Sequence, residues 1–169
     1  MTRQKAYSLI ELMVTVSVLS IFLVFIVPSV NNLISNNQAL AISDELALSL
    51  RLAKTEAIKL NTSVSLCSAS SSAQDTCGSN TSFPFGWIVF KDDSESGTFS
   101  NTSDIIKVSP LPKSHVTLTS TLTSFTFNSM GYLTSNTTDI TVSPTHCAST
   151  KRQISLSSIG RVKVLETNC

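Results

Sequence analysis

RQKAYSLIELMVTVSVLSIFLVFIVPSV, residues 3–30, decides how the rest of the chain is read. The 19 residues from Leu12 to Val30 carry no charge and include the dense run Ile21-Phe22-Leu23-Val24-Phe25-Ile26-Val27. As a helix this stretch is long enough to cross a bilayer core. Arg3 and Lys5 precede it, and no Lys or Arg follows until Arg51. That bias predicts a cytoplasmic N-terminus with everything after Val30 on the far side. Pro28-Ser29-Val30-Asn31 offers no Ala-x-Ala-like site, so the apolar segment is expected to stay attached rather than leave as a secretory signal. A plain single-pass anchor accounts for the hydropathy. It does not account for Glu11, a carboxylate at the membrane edge that costs about 2 to 3 kcal/mol if buried without a partner.

Past Pro28, Ala39, Ile42, Leu46, Leu50, Ala53, Ala57 and Leu60 recur at spacings of three and four, the stripe of one helix face. A helix over Ser8 to Leu60 would hold 53 residues and reach about 80 Å at the usual rise. Pro28 is expected to bend or loosen it. Beyond Asn61 and Thr62 the period falls to two, at Val64/Leu66, Phe125/Phe127, Ile140/Val142, Ile154/Leu156 and Val162/Val164. Trp87-Ile88-Val89-Phe90 and Ile105-Ile106 read as more fully buried strands, and Ser, Asn, Asp and Pro clusters separate the runs. The predicted class is α+β: one long helix packed on an antiparallel β domain. Phe127–Leu133 and Leu156–Val162 each pair a strand with a tight turn and a Gly, and both are read as hairpins with the Gly at positive φ.

Composition excludes more than it selects. The chain has 169 residues, with 12 Lys and Arg against 11 Asp and Glu, so it is sized for one domain plus an extension and carries no net field of note. Ser and Thr number 50, while Gly and Pro number 5 each, which suits strands with hydroxylated outer faces. No nucleophile elbow, phosphate-binding Gly loop or His-Glu metal motif is present, and the expectation is a non-enzymatic chain without a cofactor or metal. His115 and His146 read as ordinary surface or strand residues, and Asp92, Asp93 and Glu95 as a solvated loop with weak calcium character.

All four cysteines, Cys67, Cys77, Cys147 and Cys169, fall on the side where disulfides persist. Three pairings are open. Sequence neighbours are favoured, giving Cys67 with Cys77 and Cys147 with Cys169, each contributing about 2 to 4 kcal/mol. Charge is segregated as well. Thr145 to Cys169 holds Lys151, Arg152, Arg161 and Lys163 against Glu166, whereas Val64 to Pro144 holds three Lys against six acids. With Val162 and Val164 facing inward, Arg161 and Lys163 fall on the outer face, spaced to meet successive phosphates. An edge strand protected by positive charge explains the same pattern.

Lys5-Ala6-Tyr7-Ser8-Leu9-Ile10-Glu11-Leu12 resembles the type IV prepilin signature, with Ala6 where Gly is usual and Tyr7 where Phe is frequent. Gly86-Trp87-Ile88-Val89-Phe90, the Cys67 and Cys77 spacing, and Ile159-Gly160-Arg161-Val162-Lys163-Val164 are similar to the GspH/FimT group of minor pilins and pseudopilins. The resemblance implies a leader over 1–6, a transmembrane half-helix over 7–30, a periplasmic half-helix over 31–61 and a β-rich domain over 62–169. It implies cleavage by prepilin peptidase between Ala6 and Tyr7, N-methylation of Tyr7, and Glu11 facing the terminal amine of a neighbouring subunit. The implied location is the bacterial inner membrane, and the tip once assembled into a type IV pilus or type II secretion pseudopilus. The implied partners are other pilins or pseudopilins. In the FimT branch a Gly-Arg-x-Arg motif at this place is associated with DNA uptake in natural transformation, and Gly160, Arg161 and Lys163 match it with Lys in the second basic place. Double-stranded DNA is therefore a candidate partner for a tail that also holds Lys151 and Arg152. A secretion-only pseudopilin contacting exported proteins is the alternative.

Overall fold

The computed structural model describes residues 8–99, 101–109, 115–145 and 150–169, with the side chains of 23–29 set aside. The chain divides into two compact units, Met1–Ile34 and Ser35–Cys169. Helix α1, Leu9–Leu60, contributes to both.

In the first unit, the described side chains from Leu9 to Phe22 are all exposed, so nothing in the unit covers this apolar surface. Its hydroxyls are satisfied within the helix. Thr15, Ser17 and Ser20 donate to the carbonyls of Leu12, Val14 and Val16 at 2.9, 2.8 and 2.5 Å. Back-bonding of this kind lets polar side chains sit in apolar surroundings without an orphan donor. The helix assignment runs through Pro28. Among the described residues no helix is long and apolar enough to cross a membrane; the densest part of the expected span falls on the side chains outside the description.

In the second unit the helix buries Ala39, Ile42, Leu46, Leu50, Ala53 and Ala57, the stripe expected from its spacing. Leu60 departs from that stripe and is exposed. The reason is the helix end. Asn61 takes φ +50°, Thr62 N–H donates to Ala57 O at 3.2 Å and Asn61 N–H to Ile58 O at 3.3 Å. This Schellman-type closure turns the chain away one residue after Leu60.

Among the described residues eight strands follow: β1 Val64–Ser68, β2 Trp87–Lys91, β3 Ile105–Val108, β4 Val116–Ser120, β5 Ser124–Phe127, β6 Thr138–Pro144, β7 Thr150–Leu156 and β8 Val162–Asn168. They form two antiparallel sheets, ordered β3-β2-β1-β5 and β4-β6-β7-β8. One core joins the helix stripe to Val64, Leu66, Trp87 and Val89 of the first sheet and to Leu118, Ile140, Ile154 and Leu156 of the second. On the reverse of the first sheet a smaller cluster holds Cys67, Ala69, Ile88 and Phe90. Strand β2 is buried on both faces, which is why it reads as an unbroken apolar run.

Three expectations change. Ile105 and Ile106 are only half-buried, because β3 is an edge strand whose outer side has no neighbour in the sheet. Strand β4 was not anticipated, although Val116 and Leu118 alternate with Thr117 and Thr119 as a half-buried strand requires. Of the two expected hairpins, Leu156–Val162 is one: β7 and β8 pair from Leu156↔Val162 outward around Gly160 at φ +68°. The other is a turn without a second strand. Gly131 has φ +78°, but Leu133 makes only an isolated bridge to Phe127, and its N–H goes to Ser158 O at 2.9 Å in the neighbouring turn.

Candidate functional site

Glu11 lies in the first turn of α1 and is exposed. A carboxylate there is favoured by the unpaired N–H groups and the positive end of the helix dipole. Among the described residues no cation is within ion-pair distance of it. Ala6 and Tyr7, the expected cleavage and methylation positions, lie outside the described residues.

At the other end of α1 the two glycine turns meet. Gly160 N–H donates to Ser157 O and Gly131 N–H to Asn128 O, both at 2.8 Å, which closes each turn. A Cβ placed on Gly160 would lie 2.2 Å from Gly131 O, and one on Gly131 would lie 2.8 Å from Ile58 Cδ1. Both turns thus need glycine for contact as well as for φ. Lys54 ties them to the helix, donating from Nζ to Ile159 O at 3.0 Å and to Gly160 O at 3.1 Å. Sequence reasoning missed Lys54. It sits beside the apolar stripe at the register of a solvated lysine, and its acceptors are backbone carbonyls 105 and 106 positions away, which no side-chain pattern announces.

The tail residues do not form a single patch. Arg161 and Lys163 are exposed, flanking Val162. Lys151 lies on the same outer side as Lys163, but at the far end of the hairpin opposite Thr167. Arg152 shares the inward face of β7 with Ile154 and Leu156 and lies across the ladder from Glu166. There it lines a cavity of about 150 Å³ with Asn36, Asn37, Leu40 and Pro144. Gly160 is buried. The turn therefore groups Gly160, Arg161 and Lys163, and separates Lys151 and Arg152 from them.

The acidic loop has structural employment. Asp92 is buried and accepts hydrogen bonds from Ser65 Oγ and Gly97 N–H, both at 2.7 Å, and from Ser96 N–H at 3.0 Å. Exposed Asp93 accepts from Thr62 and from Lys91, the latter at 2.9 Å, and these bonds hold its carboxyl below the ordinary 3.8. The same contact raises Lys91 above 10.5. Glu95 accepts from Ser63 Oγ at 2.7 Å. Among the described residues no group of three or more His, Cys, Asp or Glu is placed to hold a metal ion. His115 offers its backbone carbonyl to Ser35 Oγ and to Thr145 N–H. His146 lies outside the described residues.

Cys67 and Cys77 are bonded, with Cα atoms 5.7 Å apart, and the bond closes a loop against the smaller core cluster. Cys169 is also disulfide-bonded. Its expected partner, Cys147, lies outside the described residues.

Known proteins place this architecture. The model of the Type II transport protein GspH family matches residues 43–160, and that of the prokaryotic N-terminal methylation motif matches residues 1–27. No curated protein matches the chain. Among solved structures it is similar to the type IV minor pilin FimU of Pseudomonas aeruginosa strain PAO1. In space group P21 the TM-score is 0.60 at 16% identity, covering 77% of this chain and 90% of that one. In space group P65 the values are 0.56, 15%, 75% and 91%. A long N-terminal helix leading into antiparallel sheets is the fold of a type IV pilin. The chain belongs to the GspH family, and it is a minor pilin or pseudopilin of a type IV pilus or type II secretion system. Members of this class are structural subunits rather than enzymes, assemble with other pilins and are processed by prepilin peptidase.

Proposed function

We propose that the chain is a tip or initiation subunit, held in the inner membrane by the first part of α1 until it enters the filament. The supporting observation is the uncovered apolar helix that carries Glu11 with no cation near it among the described residues. Such a surface needs lipid or neighbouring helices, and such a carboxylate needs an amine. Cleavage between Ala6 and Tyr7 by prepilin peptidase creates one at the terminus of an adjacent subunit. Peptide mass spectrometry of the membrane fraction tests this reading. A methylated Tyr7 terminus is expected; an intact Met1 in cells with active prepilin peptidase, or cleavage beyond Pro28, would contradict it.

A second reading is favoured by Arg161 and Lys163, which are exposed and make no ion pair among the described residues. In it, the β7–β8 turn contacts phosphates of double-stranded DNA, without base readout. With two to four contacts, log K should fall against log salt with a slope of roughly −2 to −4, and Arg161→Ala with Lys163→Ala should flatten it by nearly two units. An unchanged affinity and slope in the folded, oxidised double variant would remove DNA from this site and leave the secretion or structural role. Cys147 paired with Cys169 would enclose all four basic residues of the tail, so reduction should weaken binding too.

A further inference from the structure

The two glycine turns and the end of α1 leave a group of large apolar side chains in solvent: Met130 73% exposed, Ile159 58%, Ile58 50% and Tyr132 48%. Their contiguity follows from the glycines between them. Gly131 rests on Ile58 and Lys54, and Gly160 rests on the Gly131 carbonyl and Lys54. Met130 and Tyr132 flank the first glycine, Ile159 and Arg161 the second, so all radiate from one point. Exposed apolar side chains scattered singly are ordinary, whereas a contiguous group rimmed by charge marks an interaction surface.

We propose that this patch seats a different pilin-type subunit of the same filament, one presenting an apolar projection flanked by carboxylate. The proposal rests on the chain being a filament subunit. Two features favour that occupant. Leu40, Leu48, Arg51, Thr55 and Ile58 share one face of α1 and are exposed, so the patch continues along the helix by which such subunits assemble. Arg51 and Arg161 stand on the rim without an ion pair among the described residues, which calls for acidic groups on the partner. A second copy meeting this patch with its own would set Arg51 and Arg161 against like charge. Duplex DNA would satisfy the arginines but gives Met130, Ile58 and Ile159 little to pack against.

The test uses the full chain in cells that assemble the filament, with a photo-crosslinking side chain at Met130, at Ile159 or, as a control, at Thr117 on the outer face of the second sheet. The expected result is an adduct from Met130 and Ile159, absent from Thr117, whose peptides identify a different pilin-type subunit. Met130→Asp with Ile159→Asp should lower the adduct formed from a probe at Ile58 by about tenfold, as loss of an interface centre does. Met130→Ser, a milder change retained in case the double variant does not accumulate, should lower the adduct at Ile159 by about threefold. An adduct only with a second copy, a nuclease-sensitive adduct, or no adduct from a wild-type-like chain present in sheared filaments would each overturn the proposal. Absence of the chain from the filaments altogether would overturn the filament reading with it.

Discussion

Leu9 to Phe22 and Ala39 to Ala57 belong to one helix and are both apolar, yet the first stretch is left uncovered while the second carries a buried stripe under two sheets. The difference lies in how apolar residues are distributed. In the second stretch they keep to spacings of three and four with charged residues between, so one face folds against strands and the other meets water. In the first they occupy every side of the helix, which no single sheet can cover. One stretch folds the domain; on the proposed reading the other connects it to lipid and then to neighbours.

The largest test of that contrast is a matched pair of truncations. Leu50→Ala removes a fully buried side chain and should destabilise the β domain by about 2 to 5 kcal/mol. Leu19→Ala should leave domain stability unchanged within about 0.5 kcal/mol. Denaturant unfolding of the full chain in detergent, followed by Trp87 fluorescence, reads both. Equal losses would show that the first stretch packs on the domain after all.

The end of the helix offers the next effect. Gly160→Ala places a Cβ against the Gly131 carbonyl at positive φ, and should cost about 2 to 3 kcal/mol in the same measurement. Lys54→Met keeps the stem but abandons two carbonyls, and should cost about 1 to 2 kcal/mol. If Lys54→Met is neutral, the turns hold together without the helix.

How much of this was legible in the sequence follows from the range of the interactions. Period and composition are local, so the helix stripe, the doubly buried β2 and the Gly160 hairpin can be read directly. The Cys67–Cys77 bond spans ten positions and was within reach of the same reasoning. Lys54 was not, since its partners are distant carbonyls. Arg152 shows a different limit. Net charge counts it with Arg161 and Lys163, but strand parity turns it to the opposite face beside Glu166. Leu133 was misjudged because the pairing stops at one bridge: Asn128 N–H donates to Tyr132 O and Thr134 N–H to Thr126 O, while the Leu133 N–H points away to Ser158 O in the neighbouring turn.

The smallest effect is the pH dependence of the Asp93 contact, where the chain leaves the helix. Asp93 is depressed below 3.8, so its contribution is present above that value and is lost as pH falls through the lower folded value. Lys91 is raised, so its part is present below 10.5 and is lost as pH rises through the folded value. Thermal midpoints of wild type and Asp93→Asn should differ slightly at pH 7 and converge once pH has fallen below the lowered folded value. A constant difference across that range would mean the carboxylate is not linked to folding.

On the proposed reading the uncovered helix is completed by neighbouring subunits through Glu11. Recovery of Glu11→Ala in sheared filaments, with the membrane pool quantified in parallel, is the decisive measurement. The expected result is a membrane pool equal to wild type and a filament fraction reduced at least about tenfold, since hydropathy is kept while the partner for an amine is lost. Equal recovery of the two proteins in the filaments would contradict it.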